Sequence, residues 1–174
     1  MGIMNLKRDY EYFASIWNEK ENSNRRHTKE AWNGRASSWG KELEKKEHFQ
    51  QSMDDRVYAS VEYLKQHGAL KNGMEVIDIG CGPGRFVTEF ARTAKHATGL
   101  DISEKMVELG EAHARECGLD NVTFMAEDFS SVDIEEMGWK KKFDLVFTSI
   151  TPAIGTMKDL EKAIDICKSY CFNS

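Results

Sequence analysis

The chain has 174 residues, of which 40% are hydrophobic and 30% charged, and its formal net charge at pH 7 is −5. This size and composition are typical of one globular domain with an appendage, and they exclude a collagen-like or disordered chain. Residues 1–73 carry 13 basic and 11 acidic side chains, whereas residues 74–174 carry 11 basic and 18 acidic ones. Because the second part is strongly acidic, it is a poor partner for a phosphate backbone, and we expect no nucleic-acid partner.

The sequence also bears on the compartment. No apolar run approaches the ~20 residues that cross a bilayer, and the first residues, MGIMNLKRDYEYF, lack the apolar block of a secretory signal. The four cysteines form no C-x-x-C pair and have no metal-site spacing with histidine; they are Cys81, Cys117, Cys167 and Cys171. We therefore expect reduced thiols in a cytoplasmic protein that binds neither a membrane nor a metal ion.

Residues 1–72 form the first predicted unit, a helical cap or lid. Apolar and aromatic residues recur at helical spacing in three stretches, which include Trp17, Trp32 and Val57 respectively. Gly68 is placed to end the third helix. Residues 73–174 form the second predicted unit, in which the rhythm changes to short apolar runs.

In this second unit, apolar runs alternate with helical stretches. The predicted strands are Met74–Ile79, His96–Leu100, Val122–Ala126 and Phe143–Thr148. The predicted helices are Pro83–Ala94, a helix capped by Ser103 that runs to Cys117, and Lys158–Cys171. This alternation predicts an α/β fold with a parallel sheet of about four strands and a ligand site beyond their carboxyl ends.

A glycine-rich loop lies between the first strand and the next helix. Gly80, Gly82 and Gly84 allow a tight turn and let a ligand press against bare backbone. A dinucleotide-binding G-x-G-x-x-G pattern would need glycine at position 85, where Arg85 stands, which disfavours a dinucleotide oxidoreductase. Asp78 precedes the loop, and a carboxylate there repels a pyrophosphate but attracts a cation. The loop therefore favours a positively charged nucleoside.

This loop resembles motif I of the class I S-adenosylmethionine-dependent methyltransferases, D/E-x-G-x-G-x-G, with Asp78, Gly80, Gly82 and Gly84 at its four positions. The resemblance implies a Rossmann-like fold and S-adenosyl-L-methionine (SAM) as the cofactor, with S-adenosyl-L-homocysteine as the product. It also implies transfer of a methyl group to an acceptor by in-line displacement. Cys81 lies within the loop and is expected beside the cofactor, as a small buried filler rather than a nucleophile.

The same resemblance assigns residues after the second predicted strand. Asp101 stands 21 residues after Gly80 and matches the family's acid that accepts from the ribose hydroxyls. Ile102 matches the apolar contact to the adenine face, and Met106 is expected nearby in the next helix. The alternative for Asp101 is an acid at the start of the following helix, where the helix dipole stabilises its negative charge.

After the third strand, Asp128 matches the acid that accepts from the adenine amino group, and Phe129 the residue that packs on the ring. Glu127 is a less favoured candidate for the acid that binds the adenine amino group. The alternative is that these residues form a solvated acidic loop with no ligand. Ser149 follows the fourth strand, where the family lines its methyl-transfer channel, so it is expected at the cofactor.

The cap carries one more match to this family. Many of its small-molecule enzymes have an N-terminal helix of the form Y-D-x-x-A-x-x-Y, and Trp32, Asn33, Ala36 and Trp39 occupy these positions. The match implies that Trp39 lies near the methionine end of SAM, where an indole stabilises a cation. Arg35 is the candidate for the cofactor's carboxylate. The alternative is that both tryptophans belong to the core of the cap.

The chain departs from the family at its C-terminal end. The family's sheet has seven strands, whereas four are predicted here. The strand Phe143–Thr148 would then leave an apolar, unpaired edge, so we expect either a fragment or a second copy of the chain that covers this edge as a homodimer. Because the absent strands usually supply acceptor-binding residues, a non-catalytic SAM-binding or oligomerising fragment is the alternative function.

The acceptor is expected to be a small molecule. The segment TSITPA at 148–153 does not match the Asn/Asp-Pro-Pro-aromatic motif of the amino-methylating enzymes that act on DNA or glutamine. No catalytic residue is assigned, since methyl transfer needs alignment and exclusion of water more than a covalent intermediate. His27 and His48 are possible general bases, but isolated histidines of this kind are more typical of a solvated surface.

Overall fold

The computed structural model describes residues 11–12, 14–17, 28–43 and 47–173. Helices α1 (Lys29–Leu43) and α2 (Glu47–Gln66) precede the sheet, and residues 11–12 and 14–17 are also helical. Gly68 follows α2 with a φ of 68°, as predicted for a helix-ending glycine. In the described part of the chain, no helix combines the length and the apolar character that a membrane span requires.

The remaining elements alternate between strands and helices. They are β1 (Glu75–Ile79), α3 (Arg85–Ala91), β2 (His96–Asp101), α4 (Glu104–Glu116), β3 (Val122–Ala126), β4 (Phe143–Thr148), α5 (Met157–Ile166) and β5 (Cys167–Asn173). All neighbouring strands are parallel, in the order β3-β2-β1-β4-β5. The predicted α/β class, with its Rossmann-like parallel sheet, is therefore confirmed.

Both faces of the sheet are covered, which is why its central strands are apolar on both sides. Val76 of β1 contributes to a cluster with side chains of α2 and α3, including Val61 and Phe90. Ile77, on the opposite face of the same strand, packs in a second cluster that includes Ile166 of α5. The two clusters fix the cap helix α2 and the core helix α5 on opposite faces of one sheet.

The predicted last helix is wrong in its second half. The helix starts at a capping box formed by Thr156 and Asp159 and ends at Ile166, and the following residues form β5. Phe172 of β5 lies flat on Phe147 of β4, with ring centroids 5.2 Å apart. Cross-strand aromatic pairs of this kind stabilise a strand, although the spacing of apolar residues here also suits a helix. Among the described residues the sheet therefore has five strands, one more than the number predicted.

The predicted unpaired edge at β4 is also wrong, because β5 pairs with β4 along its length. The hydroxyl of Thr148 also donates to the side-chain oxygen of Asn173, at 2.8 Å. The reason for a homodimer that covers β4 therefore disappears.

The topology places a crevice at the edge of the sheet that is formed by the carboxyl ends of its strands. From β1 the chain continues to β2 and β3 on one side, and it then returns to β4 on the other side of β1. In open parallel sheets, ligands bind beyond the carboxyl ends of the strands at such a reversal. Asp78 of β1, Asp101 of β2 and Ser149 after β4 all lie at this edge.

Candidate functional site

A cavity of about 980 Å³ lies at this edge, between the strand ends and the cap. It brings together most of the residues that the sequence assigned to a cofactor site. The predicted residues that line it are Arg35, Asp78, Gly80, Cys81, Gly82, Asp101, Ile102, Met106, Asp128, Phe129 and Ser149. They come from five separate parts of the chain, so only the fold unites them.

Two predicted residues are not placed in this lining. Gly84 caps α3 instead: a Cβ there would overlap the Phe124 ring, and its φ of 74° also favours glycine. The role of Gly84 is therefore close packing of the loop against β3. The side chain of Trp39 lies outside the described residues, as do that of His48 and the whole of His27.

The glycine loop presents open backbone to the cavity. A Cβ at Gly82 would meet nothing within 4 Å, although its φ of 53° disfavours any larger residue. The amides of Gly80 and Cys81 both donate to the carbonyl of Leu100, at 2.7 and 3.0 Å, and so fix the loop to the end of β2. The loop is therefore rigid and has open space at Gly82, whereas at Gly80 the side chain of Thr151 occupies the place that a Cβ would take.

Asp78 is the most unusual group in the cavity. It is only 2% exposed, and within the described part of the chain its carboxyl accepts no hydrogen bond and forms no ion pair. Burial, and to a smaller extent the charge of the neighbouring Asp101, together raise its pKa to about 8. A buried carboxyl without a partner is costly, and a cationic ligand beside it would supply a compensating charge.

Asp101 is held rigidly from two sides. Its Oδ2 accepts from the amide of Gly82 at 2.8 Å, and its Oδ1 accepts from the amide of Ser103 at 2.9 Å. Burial raises the pKa of Asp101, and these two amide hydrogen bonds oppose that rise. Because a carboxylate has about four lone pairs, it retains acceptors for ligand hydroxyls. Its ribose-binding role stays a prediction.

The segment after β3 has two different side chains. Asp128 Oδ1 accepts from the amide and the hydroxyl of Ser130, each at 2.9 Å, and this turn fixes its direction. Phe129 is 2% exposed and belongs to the core cluster beneath α5. Lys162 of α5 holds this segment by donating to three of its backbone carbonyls. The predicted adenine contacts of Asp128 and Phe129 stay predictions.

Cys81 is suited to filling space rather than to attack on a substrate. It is buried, and burial together with the nearby carboxyl of Asp78 raises the pKa of its thiol well above the ordinary value. Since the thiolate is the nucleophilic form, this thiol stays protonated and inert. No group of three or more metal-ligating side chains occurs among the described residues.

The cap helix α1 is tied to the site by hydrogen bonds. The side-chain oxygen of Asn33 accepts from the hydroxyl of Ser103, at 2.7 Å, and Ser103 in turn caps α4 next to Asp101. The guanidinium of Arg35 lies 4.6 Å from the centre of the Trp32 ring. The motif that contains Trp32 and Asn33 therefore places Arg35 on the wall of the cavity.

Two arginines of the lining have no site role predicted from the sequence: Arg56 of α2 and Arg85 of α3. Ile150 and Thr151 also line the cavity, next to Ser149 after β4, where the resemblance places the methyl-transfer channel. Ile150 has a φ of 48°, which is rare for a β-branched residue and gives no sequence signal. Arg85 follows the glycine loop directly and could have been found there, whereas the position of Arg56 depends on how α2 docks.

The Rossmann-like sheet, the glycine loop after β1, the two acids at adjacent strand ends and the helices α1 and α2 at the cavity are together typical of an α/β protein of the methyltransferase class. The model of the methyltransferase domain family matches residues 70–170, and the chain belongs to this family. The predicted membership of the class I SAM-dependent methyltransferases is thereby confirmed.

Individual relatives fit this assignment. A sterol 24-C-methyltransferase of Gibberella zeae is 28% identical over 119 residues, which are 66% of this chain and 31% of that protein. The 23S rRNA (uracil(1939)-C(5))-methyltransferase RlmD of Aeromonas salmonicida is 40% identical over 80 residues, which are 45% of this chain and 18% of that protein. The chain thus spans less than a third of the length of either relative.

A solved structure is similar in fold and in sequence. Magnesium protoporphyrin IX methyltransferase of Synechocystis PCC 6803, crystallised with SAM, has a TM-score of 0.51 and 28% identity to this chain. The match covers 68% of this chain and 52% of that one. The similarity is therefore confined to about half of the larger enzyme.

Proposed function

We propose that this chain binds SAM in the cavity above its glycine loop and transfers the methyl group to a small-molecule acceptor. The observation that carries the proposal is the buried carboxyl of Asp78, which has no partner among the described residues and lines the same cavity as the open backbone of Gly82. A cation with a flat nucleoside attached satisfies both features, because it neutralises the acid and fits against backbone without side chains.

The residues present fit this cofactor. Asp78 would face its positively charged methionine end, Asp101 its ribose hydroxyls, and Asp128 with Ile102 its adenine. When bound, SAM supplies an electrophilic methyl group, which passes to a lone pair of the acceptor as the carbon–sulfur bond breaks and leaves neutral S-adenosylhomocysteine. The chain's own residues then hold the two molecules in line and exclude water, which together lower the barrier.

Two further features belong to the proposal. Residues 1–72 would act as a cap over the core formed by residues 73–174, since α1 carries Arg35 to the cavity wall. The four cysteines are unbridged, which is consistent with a cytoplasmic protein.

The charge of the chain favours a small molecule over a nucleic acid as the acceptor. The relatives include enzymes named for a sterol and for magnesium protoporphyrin IX, but also the rRNA enzyme RlmD. Residues 74–174 carry 18 acidic and 11 basic side chains, which disfavours a long phosphate backbone. Methyl transfer to total cellular RNA would contradict this choice.

The second candidate is a SAM-binding chain without catalysis, because the chain spans only part of its relatives' lengths. Calorimetry with SAM and S-adenosylhomocysteine tests the shared first step, and the absence of binding by a folded chain overturns both candidates. Incubation with methyl-labelled SAM and a small-molecule cell extract separates them. A labelled product supports the enzyme, and binding without any labelled product supports the second candidate.

A further inference from the structure

The cap side of the cavity carries more positive charge than the cofactor needs. Arg35, Arg56 and Arg85 all line it. Arg85 is paired with Asp54 of α2, and Arg35 lies over the ring of Trp32. Arg56 is exposed, and in the described part of the chain it has neither a hydrogen bond nor an ion pair. The cavity lining therefore contains a guanidinium, that of Arg56, which no described residue neutralises.

The charges of the cavity are separated by origin. Most of its acids, which include Asp78 and Asp101, come from the strand ends, and Asp159 comes from α5, whereas the arginines come from α1, α2 and the start of α3. If SAM is the cofactor, as proposed above, its single carboxylate takes one guanidinium, and Arg35 is the candidate. Arg56 is then left for a second anion, since an arginine fork matches a carboxylate or a phosphate.

The cavity also has aromatic lining and a large volume. Trp17, Trp32 and Phe86 line the same cavity as Arg56. The volume of about 980 Å³ lies at the upper end of the range typical of small-molecule sites. Such a volume admits an acceptor next to the cofactor, and aromatic walls favour a flat body.

We propose that the acceptor is a small organic acid with a planar apolar body, whose carboxylate or phosphate is bound by Arg56. This inference depends on the proposed function and deepens it, because it names the chemical class of the acceptor. It makes Arg56 a specificity-determining residue of the acceptor site rather than a contact of the cofactor.

Binding of matched acids and neutral analogues to the chain saturated with S-adenosylhomocysteine tests the proposal. The pairs are benzoate with benzamide, 2-naphthoate with 2-naphthamide, and phenyl phosphate with phenol, titrated by NMR of the labelled protein. We expect at least one acid to bind about fivefold or more tightly than its neutral partner, as a charge-assisted hydrogen bond predicts. Equal binding within every pair, or no binding by any acid, overturns the inference.

Substitutions at Arg56 locate the preference. Arg56→Gln should abolish the tighter binding of the acids over their neutral analogues, and Arg56→Lys should keep part of it. Arg92→Gln is the matched control, since Arg92 pairs with Glu89 outside the cavity lining, and it should keep all of it. Preference that survives Arg56→Gln overturns the assignment.

Calorimetry with SAM on each variant separates this inference from the proposed function. If the unsubstituted chain fails to bind SAM, the proposed function fails. If SAM binds but no acid preference exists, only the acceptor class fails. If Arg56→Gln weakens SAM without changing the acid-to-neutral ratio, Arg56 serves the cofactor's own carboxylate and the inference is overturned.

Discussion

The backbone amide of Gly82 donates a 2.8 Å hydrogen bond to Oδ2 of Asp101, so the glycine loop after β1 is tied to the acid at the end of β2. The two residues lie 19 positions apart in sequence, and the parallel pairing of β1 with β2 brings them together. The loop and the acid therefore form one unit, and a change in either should alter both ligand binding and stability.

Replacing Asp101 with asparagine should lower the affinity for SAM. The change removes the charge and turns one acceptor into a donor that faces the amide of Gly82 or of Ser103. Hydrogen bonds to charged groups contribute about 1.5–3 kcal/mol, so we expect a loss of roughly 10- to 100-fold by calorimetry. Asp120→Asn is the control, because Asp120 is exposed and outside the cavity lining. Equal affinity of both variants would contradict the role of Asp101.

Asp78 should couple the binding of SAM to proton release. With a pKa of about 8, the carboxyl of the free protein is largely protonated at pH 7. A bound cation favours the carboxylate, so affinity should rise with pH up to about 8, and a proton should leave on binding. Calorimetry at pH 7 in phosphate and in Tris measures that proton through the buffer's ionisation enthalpy. Asp78→Asn should remove the difference between the binding enthalpies measured in the two buffers. A difference that persists in this variant would contradict the prediction.

The same residue fixes the sign of a stability change with pH. The pKa of Asp78 is about 8 in the folded protein and close to 3.8 in the unfolded chain, so unfolding between these values releases a proton. The free energy of unfolding should therefore fall as pH rises from about 4 to about 8. The raised pKa of Asp101 acts in the same direction. Asp78→Asn should be more stable than the parent chain at pH 8 in thermal unfolding without ligand, and lower stability would be the contrary result.

Ile150 should be replaceable by glycine without loss of stability. Its φ of 48° costs a β-branched residue about 1–2 kcal/mol, and its side chain is 70% exposed. Relief of this strain should offset the ~1 kcal/mol entropic cost of glycine in denaturant unfolding. Ile164→Gly is the control, since Ile164 is exposed within helix α5 and should lose about 1 kcal/mol. Equal losses in both variants would refute the strain at Ile150.

Lys162 should act as a positioning residue for the segment after β3. Its ammonium donates to the carbonyls of Phe129, Ser130 and Val132, at 2.8–3.0 Å. Lys162→Met keeps the side-chain length but leaves these carbonyls without their donor, so we expect a loss of ~1–3 kcal/mol in stability. Affinity for SAM should fall as well, because Asp128 lies in the same segment, directly before Phe129. Lys158→Met on the same helix is exposed and should change neither quantity; a matching loss there would argue against the clamp.

Much of the core could be predicted because its signals are local. Val122–Ala126 and Phe143–Thr148 have the bounds expected from their apolar runs, and Ser103 caps α4 as predicted. The segment after Ile166 was misassigned because residues such as Cys167 suit a helix by spacing. In the structure this segment pairs with β4, and Phe172 stacks on Phe147; the spacing of residues in the sequence does not indicate such long-range contacts.

The amino-acid sequence by itself determined the alternating α/β order, the glycine loop and the acids at the strand ends, since each follows from a pattern within a few neighbouring residues. Only the tertiary structure decided that Asp78 is buried with no partner in the described part of the chain, that β5 pairs with β4, and that Arg56 faces the cavity. These three features depend on which distant elements pack together, and burial and electrostatic environment arise only from that packing.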